Sequence, residues 1–104
     1  MITTHVLDTA RGRPAAGVPV TLEIADGDGW RPIGAGATDA DGRLRTLHPG
    51  APAPGRYRLR FDTASYNPDG FYPWVEIVFT VTAGEHHHVP LLLSPFGYAT
   101  YRGS

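Results

Sequence analysis

Apolar and polar side chains alternate with period two through much of this chain. Val18, Val20, Leu22 and Ile24 share one parity, against Pro19, Thr21 and Glu23. Tyr57, Leu59 and Phe61 alternate with Arg56, Arg58, Arg60 and Asp62, and Val75, Ile77, Phe79 and Val81 with Glu76, Val78, Thr80 and Thr82. An extended backbone turns every second side chain to the same face, so each run reads as a strand buried on one side. The 13 Gly and 10 Pro cut these runs short. Strands are predicted near 2–8, 18–25, 30–37, 43–47, 55–62, 73–82, 86–94 and 97–103. Turns are predicted at Asp26-Gly27-Asp28-Gly29, at Asp41-Gly42 and from Pro49-Gly50 to Pro54-Gly55. Ala83-Gly84 is expected to close a tight hairpin. Pro95 has no N–H to give a ladder and splits the last run in two. Residues 63–67 have room for a turn or so of helix, which Pro68 would end. Seven to eight short strands at this spacing, with at most one short helix, predict an all-β antiparallel β-sandwich. With 104 residues, the chain is expected to form one domain, 1–104.

Composition removes several function classes. A net charge of −1 offers no broad basic field to nucleic acid or to an anionic membrane. Apolar runs are far too short to span a bilayer. Cysteine is absent, which excludes disulfides, thiolate nucleophiles and Cys-based zinc sites. No secretory segment opens the sequence and no peroxisomal tripeptide closes it, so a cytoplasmic location is expected. There is no P-loop, no Gly-rich dinucleotide fingerprint and no nucleophile-elbow serine.

Histidine is the remaining chemistry. On a strand covering 86–94, His87, Val89, Leu91 and Leu93 form the core face, while His86, His88, Pro90 and Leu92 point outward. That outward face is neither charged nor plainly polar, and it suggests contact with another subunit. His86 and His88 could reach one metal ion with His5 as a third ligand; the plainer reading is a solvated strand start. His5 by itself reads as a satisfied core or edge histidine, His48 as a solvated loop residue and Arg43 as a charge following a turn. Asp8 is expected to organise the next turn through backbone hydrogen bonds. Arg56, Arg58 and Arg60 read as an exposed polar stripe.

Three segments carry a further signal. They are Thr4-His5-Val6-Leu7-Asp8 followed by Gly12-Arg13-Pro14-Ala15, then Thr38-Asp39-Ala40-Asp41-Gly42-Arg43, and then His86-His87-His88-Val89-Pro90-Leu91-Leu92-Leu93-Ser94-Pro95 running to a terminal Tyr101-Arg102-Gly103-Ser104. In this order, over almost the whole chain, they resemble the 5-hydroxyisourate hydrolases, the transthyretin-like enzymes of urate breakdown. The terminal tetrapeptide is the most specific piece and separates the hydrolases from the hormone-carrying transthyretins. Two departures stand out. The sequence after Asp62-Thr63 is short and runs into Asn67-Pro68-Asp69-Gly70, and Trp74 stands where a polar residue is more usual.

The resemblance implies a transthyretin-like sandwich assembled as a homotetramer, a dimer of dimers, with active sites at the dimer–dimer interface. It implies hydrolysis of a small-molecule substrate, 5-hydroxyisourate, with no cofactor and no metal. By motif position the catalytic residues are His5, Arg43 and His88, and His5, Arg43, Tyr101 and Ser104 contact substrate. His88 is selected within the histidine run because it directly precedes Val89-Pro90-Leu91-Leu92. In this reading the two histidines share water activation and proton return. Arg43 keeps a neighbouring imidazole neutral and steadies negative charge. The alternatives are a non-catalytic carrier of a small aromatic ligand, a metal site at His5, His86 and His88, and a structural domain whose interface is 86–92.

Overall fold

A computed structural model describes all residues, 1–104, of the chain. Nine strands and one helical turn follow in order: β1 (Ile2–Asp8), β2 (Arg13–Pro14), β3 (Pro19–Asp26), β4 (Gly29–Ala37), β5 (Arg43–His48), β6 (Gly55–Phe61), α1 (Thr63–Tyr66), β7 (Val75–Val81), β8 (His87–Leu93) and β9 (Tyr98–Thr100). They form two sheets. One runs β4-β3-β6-β7. In the other, β1 is flanked on one side by β5 and the short β2, and on the other by β8, which carries β9 at its outer edge. The two-residue β2 is the element the alternation pattern does not predict; two residues are too few to establish a period.

The alternation places the core. Val18, Val20, Leu22, Tyr57, Leu59, Phe61, Val75, Ile77 and Val81 meet Ile2, Val6, Leu44, Leu47, Val89, Leu91 and Leu93 in one buried cluster between the sheets. In β8, His87 joins this inner face, as its parity with Val89 predicts, and its Nδ1–H donates to the Glu85 carbonyl. Helix α1 is a single turn capped by Asp62, whose carboxylate accepts from the Ser65 N–H, and it ends before Pro68. No helix is long and apolar enough to cross a membrane.

Two pairings differ from expectation. The sandwich is antiparallel except at β1 and β8, which run parallel, from Ile2 beside His87 to Asp8 beside Leu93. Ala83-Gly84 is also not a hairpin turn. It carries the chain across the sandwich, because β7 pairs with β6 in one sheet and β8 with β1 in the other. A short Gly-containing link serves a hairpin or a sheet-to-sheet crossing equally well, and only the partner strands decide between them. The arginine stripe also differs in one member. Arg58 forks onto Glu23 at 2.9 and 3.1 Å, reaches Glu76 at 3.3 Å and lies under the Trp30 ring. It is a largely covered ion-pair hub rather than a solvated charge.

Candidate active site

The outer face of the β5–β1–β8 sheet gathers the residues that could do chemistry. Neighbouring strands lie about 4.8 Å apart, so residues in register on one face are side by side. His5 of β1 pairs with Arg43 of β5, and Thr3 of β1 with His88 of β8. Thr3 and His5 share a parity opposite to that of Ile2, Thr4 and Val6, which face the core. Three adjacent strands therefore deliver an arginine, a threonine and two histidines to one surface.

Local structure fixes each of them. Ahead of β5, the Asp39 carboxylate accepts from the N–H groups of Asp41 and Arg43, and this holds the turn that aims Arg43. Gly42 completes that turn with φ of 74°, in the left-handed region that favours glycine. A Cβ at Gly42 would also run into the Val6 carbonyl oxygen. From this turn the Asp41 carbonyl accepts from His5 Nε2–H at 2.9 Å. A neutral His5 consequently carries its lone pair on Nδ1. Arg43 takes part in none of the ion pairs of the chain, so its guanidinium is left for something else.

His88 is half-buried. Burial first, then the charges of Arg43, His86 and His5, hold its imidazole below the ordinary histidine range. The C-terminal tail closes over it. The Gly103 N–H donates to the His88 carbonyl at 2.8 Å, and Arg102 reaches Glu85 at 2.9 Å. Gly103 leaves no room for a side chain: a Cβ there would stand 2.6 Å from His88 Cδ2 and 3.2 Å from Pro90 Cγ. A cleft of about 130 Å³ results, lined by Thr3, Arg43, Arg45, His86, His88 and Ser104.

Of the sequence-predicted residues, Arg43, His88 and Ser104 line this cleft, and His5 stands beside Arg43 on the same face. Tyr101 does not join them within the single chain. It lines a separate groove of about 240 Å³ with Ile77, Phe79, Val89 and Arg102, and His88 borders both spaces. His5, His86 and His88 do not form a metal cluster; no three His, Cys, Asp or Glu side chains converge that way. Thr3 is the residue sequence reasoning passed over. Its signal was its parity with His5, two positions along the same strand.

A two-sheet sandwich of this topology, with histidines and an arginine on one outer face beneath its C-terminal residues, has the architecture of a transthyretin-like protein. The model of the HIUase/Transthyretin family matches residues 2–103, and the chain belongs to that family. It is 46% identical to the 5-hydroxyisourate hydrolase of Salmonella typhimurium over 100% of this chain and 81% of that protein. It is also 46% identical to the mouse 5-hydroxyisourate hydrolase, over 99% and 94%. A uric acid degradation bifunctional protein of Arabidopsis thaliana is 51% identical over 99% of this chain, which spans only 37% of that longer protein. Among solved structures, the 5-hydroxyisourate hydrolase of Klebsiella pneumoniae superposes with a TM-score of 0.88 at 34% identity, covering 99% of this chain and 98% of that one. Sea bream transthyretin in complex with thyroxine gives 0.86 at 32%, covering 98% and 93%.

Proposed function

We propose that this chain is a 5-hydroxyisourate hydrolase of urate breakdown, a cyclic amide hydrolase that opens the six-membered ring of its substrate with water. The observation that carries the reading is the cleft at the chain terminus. It sets a free guanidinium beside one histidine and a second histidine of depressed basicity on the neighbouring strand. Relatives of 45–51% identity along essentially the whole chain bear the hydrolase name or, in the plant protein, a role in uric acid degradation.

The chemistry needs three things: a base for water, charge stabilisation at the carbonyl, and a proton for the leaving nitrogen. A neutral imidazole of His5 or His88 takes a proton as the water oxygen bonds to the amide carbon. Arg43, fixed in charge and rich in donors, stabilises the oxyanion that forms. The ring C–N bond then breaks, and the protonated histidine returns its proton to the nitrogen. No covalent intermediate is required, in keeping with a chain that has no cysteine. Ser104 contacts the ring from the terminus. Tyr101 contributes from its neighbouring groove in a homotetramer whose sites lie at the dimer–dimer interface. The exposed Val78, Tyr98 and Tyr101 on the open edges of the two sheets are apolar surface such an assembly would cover.

The likeness to a thyroxine-bound transthyretin favours a second reading, a carrier of a small aromatic ligand. A cleft with an unpaired arginine and two histidines suits hydrolysis better than storage of an apolar ring. The test is direct. Freshly generated 5-hydroxyisourate, made with urate oxidase, is followed by its ultraviolet decay. Accelerated decay with the native chain, and a loss of about 10²–10⁴ in turnover for His5→Ala and His88→Ala, is expected. Near-normal turnover in both variants overturns the mechanism; binding of an aromatic ligand without any acceleration favours the carrier.

A further inference from the structure

Thr3 sits in register beside His88, buried under two imidazoles. Its Oγ1 lies 2.8 Å from His88 Nδ1 and 2.8 Å from His86 Nε2. We propose that Thr3 is a positioning residue that, with His86, fixes the tautomer of His88 so that the His88 Nε2 lone pair is the one offered to water. The inference rests on the hydrolase reading and deepens it.

A hydroxyl has one proton to donate and lone pairs to accept with. Between two neutral imidazoles it therefore donates to one ring and accepts from the other, and two patterns exist. In the first, Thr3 donates to His88 Nδ1 and accepts from His86 Nε2–H. His88 then keeps its proton on Nε2 and has no free lone pair for a base to use. In the second, His88 Nδ1–H donates to Thr3, and Thr3 donates to His86 Nε2. His88 Nε2 is then bare. Only the second pattern makes neutral His88 a base, and it needs an acceptor at the far end of the hydroxyl, which His86 Nε2 supplies. Without His86 the Thr3 proton has no imidazole to go to, and His88 Nδ1 competes for it.

The second pattern also supports His88 after it acts. Once Nε2 has taken a proton, the imidazolium still donates from Nδ1 to a hydroxyl already oriented to accept. A hydrogen bond from a charged donor is worth more than a neutral one. Thr3 thus steadies the ring in both protonation states through its hydroxyl. The parallel β1–β8 pairing makes this possible, because it sets position 3 level with position 88.

Three variants of the full chain test it: Thr3→Val, which keeps the shape and loses the hydroxyl, Thr3→Ser, which keeps the hydroxyl, and His86→Phe, which keeps a ring and loses the acceptor. The first readout is the ring ¹⁵N spectrum of His88, which separates the two neutral tautomers without reference to activity. The native chain and Thr3→Ser are expected to show protonated Nδ1, with Thr3→Val and His86→Phe shifted toward protonated Nε2. The second readout is kinetic. Thr3→Val and His86→Phe are expected to lower kcat by roughly 10-fold or more with little change in KM, as expected when general base catalysis is impaired. Thr3→Ser should restore it. An unchanged His88 tautomer in Thr3→Val, or native kcat in Thr3→Val, overturns the proposal. If His88→Ala keeps full turnover while the tautomer follows Thr3, the hydrolytic role of His88 fails and the positioning contact stands.

Discussion

Strand β1 organises a cleft at each of its ends, and the two are nearly the same size. Near its start the cleft of about 130 Å³ holds Thr3, Arg43, His86, His88 and Ser104. Near its end a cleft of about 140 Å³ holds Asp8, Arg11, Tyr66, Asn67 and Ser94. Both are polar. They differ in what remains unspent. At the far end the Asp8 carboxylate accepts from the Tyr66 hydroxyl at 2.6 Å and from the Arg11 N–H at 3.0 Å, with the Arg11 guanidinium 3.7 Å away. Its hydrogen-bonding capacity is committed to joining α1 to the β1–β2 turn. At the near end Arg43 has no carboxylate partner, and His5 and His88 each use one ring nitrogen and keep the other. Size does not separate the proposed site from a structural joint here; the difference is in which groups are left without partners.

The comparison breaks most sharply by removing one titratable side chain from each end. Alanine at His88 is expected to cut turnover by about 10²–10⁴ with the fold intact. Alanine at Asp8 is expected to leave turnover of the folded protein unchanged and to lower stability by about 1–3 kcal/mol, because it strands the Tyr66 hydroxyl and the Arg11 N–H. Initial rates on hydroxyisourate and urea unfolding separate the two. A slow Asp8→Ala enzyme of native stability would mean that the far cleft takes part in the reaction.

Acid sharpens the Asp8 half of that contrast. Burial pushes the Asp8 carboxyl up, but hydrogen bonds from Tyr66 and Arg11 and the Arg11 charge outweigh it and hold the group below its ordinary value. A carboxyl depressed in the folded state stabilises above its unfolded pKa, and that contribution is lost as pH falls through the folded value. The difference in urea midpoint between the native chain and Asp8→Ala should be full at pH 7 and shrink in acid. A gap that does not shrink would assign the stabilisation to packing.

Much of this was legible in the alternation. Parity along 86–94 put His87 inside and His88 outside, and the turn logic put Asp8 on the backbone of its own turn. Pairing was not legible. A strand's pattern states which face is buried but not which neighbour it takes. The parallel β1–β8 pair and the crossing at Ala83-Gly84 were therefore hidden, and with them the contact of Thr3 with His88. Arg43 gave no local sign of function either. What sets it apart is an unpaired guanidinium placed beside His5 and in the cleft with His88, which is a property of the folded surface. Tyr101 marks the reverse case. Its motif groups it with Ser104, while within one chain the two side chains line different spaces.

The terminal tail permits a finer cut. Gly103 lies against the His88 ring with no room for a Cβ, so Gly103→Ala must displace the tail or the imidazole. Misplacing a reacting group by about 1 Å can cost up to roughly 10²-fold, and a flexible tail would absorb part of the shift. Turnover is expected to fall about 10-fold, with thermal unfolding unmoved because the tail adds nothing to the core. Native turnover in this variant would show that the tetrapeptide is not held against His88 during the reaction.

The smallest effect concerns the electrostatics of the near cleft. The His88 imidazole is held low by burial first, and then by Arg43, His86 and His5. Arg43→Met removes only the second of these causes, so the His88 titration followed by NMR in the free protein should move upward but stay below that of an exposed histidine. The linkage has a sign. A histidine depressed in the folded state contributes stability above its unfolded pKa of about 6.5, and loses it as pH falls toward the folded value. Removing Arg43 should therefore make the fold slightly less sensitive to mild acid even as it slows the enzyme. No movement in the His88 titration would mean that Arg43 has no part in setting its basicity. Arg43 would then act on the substrate's charge and not on the base.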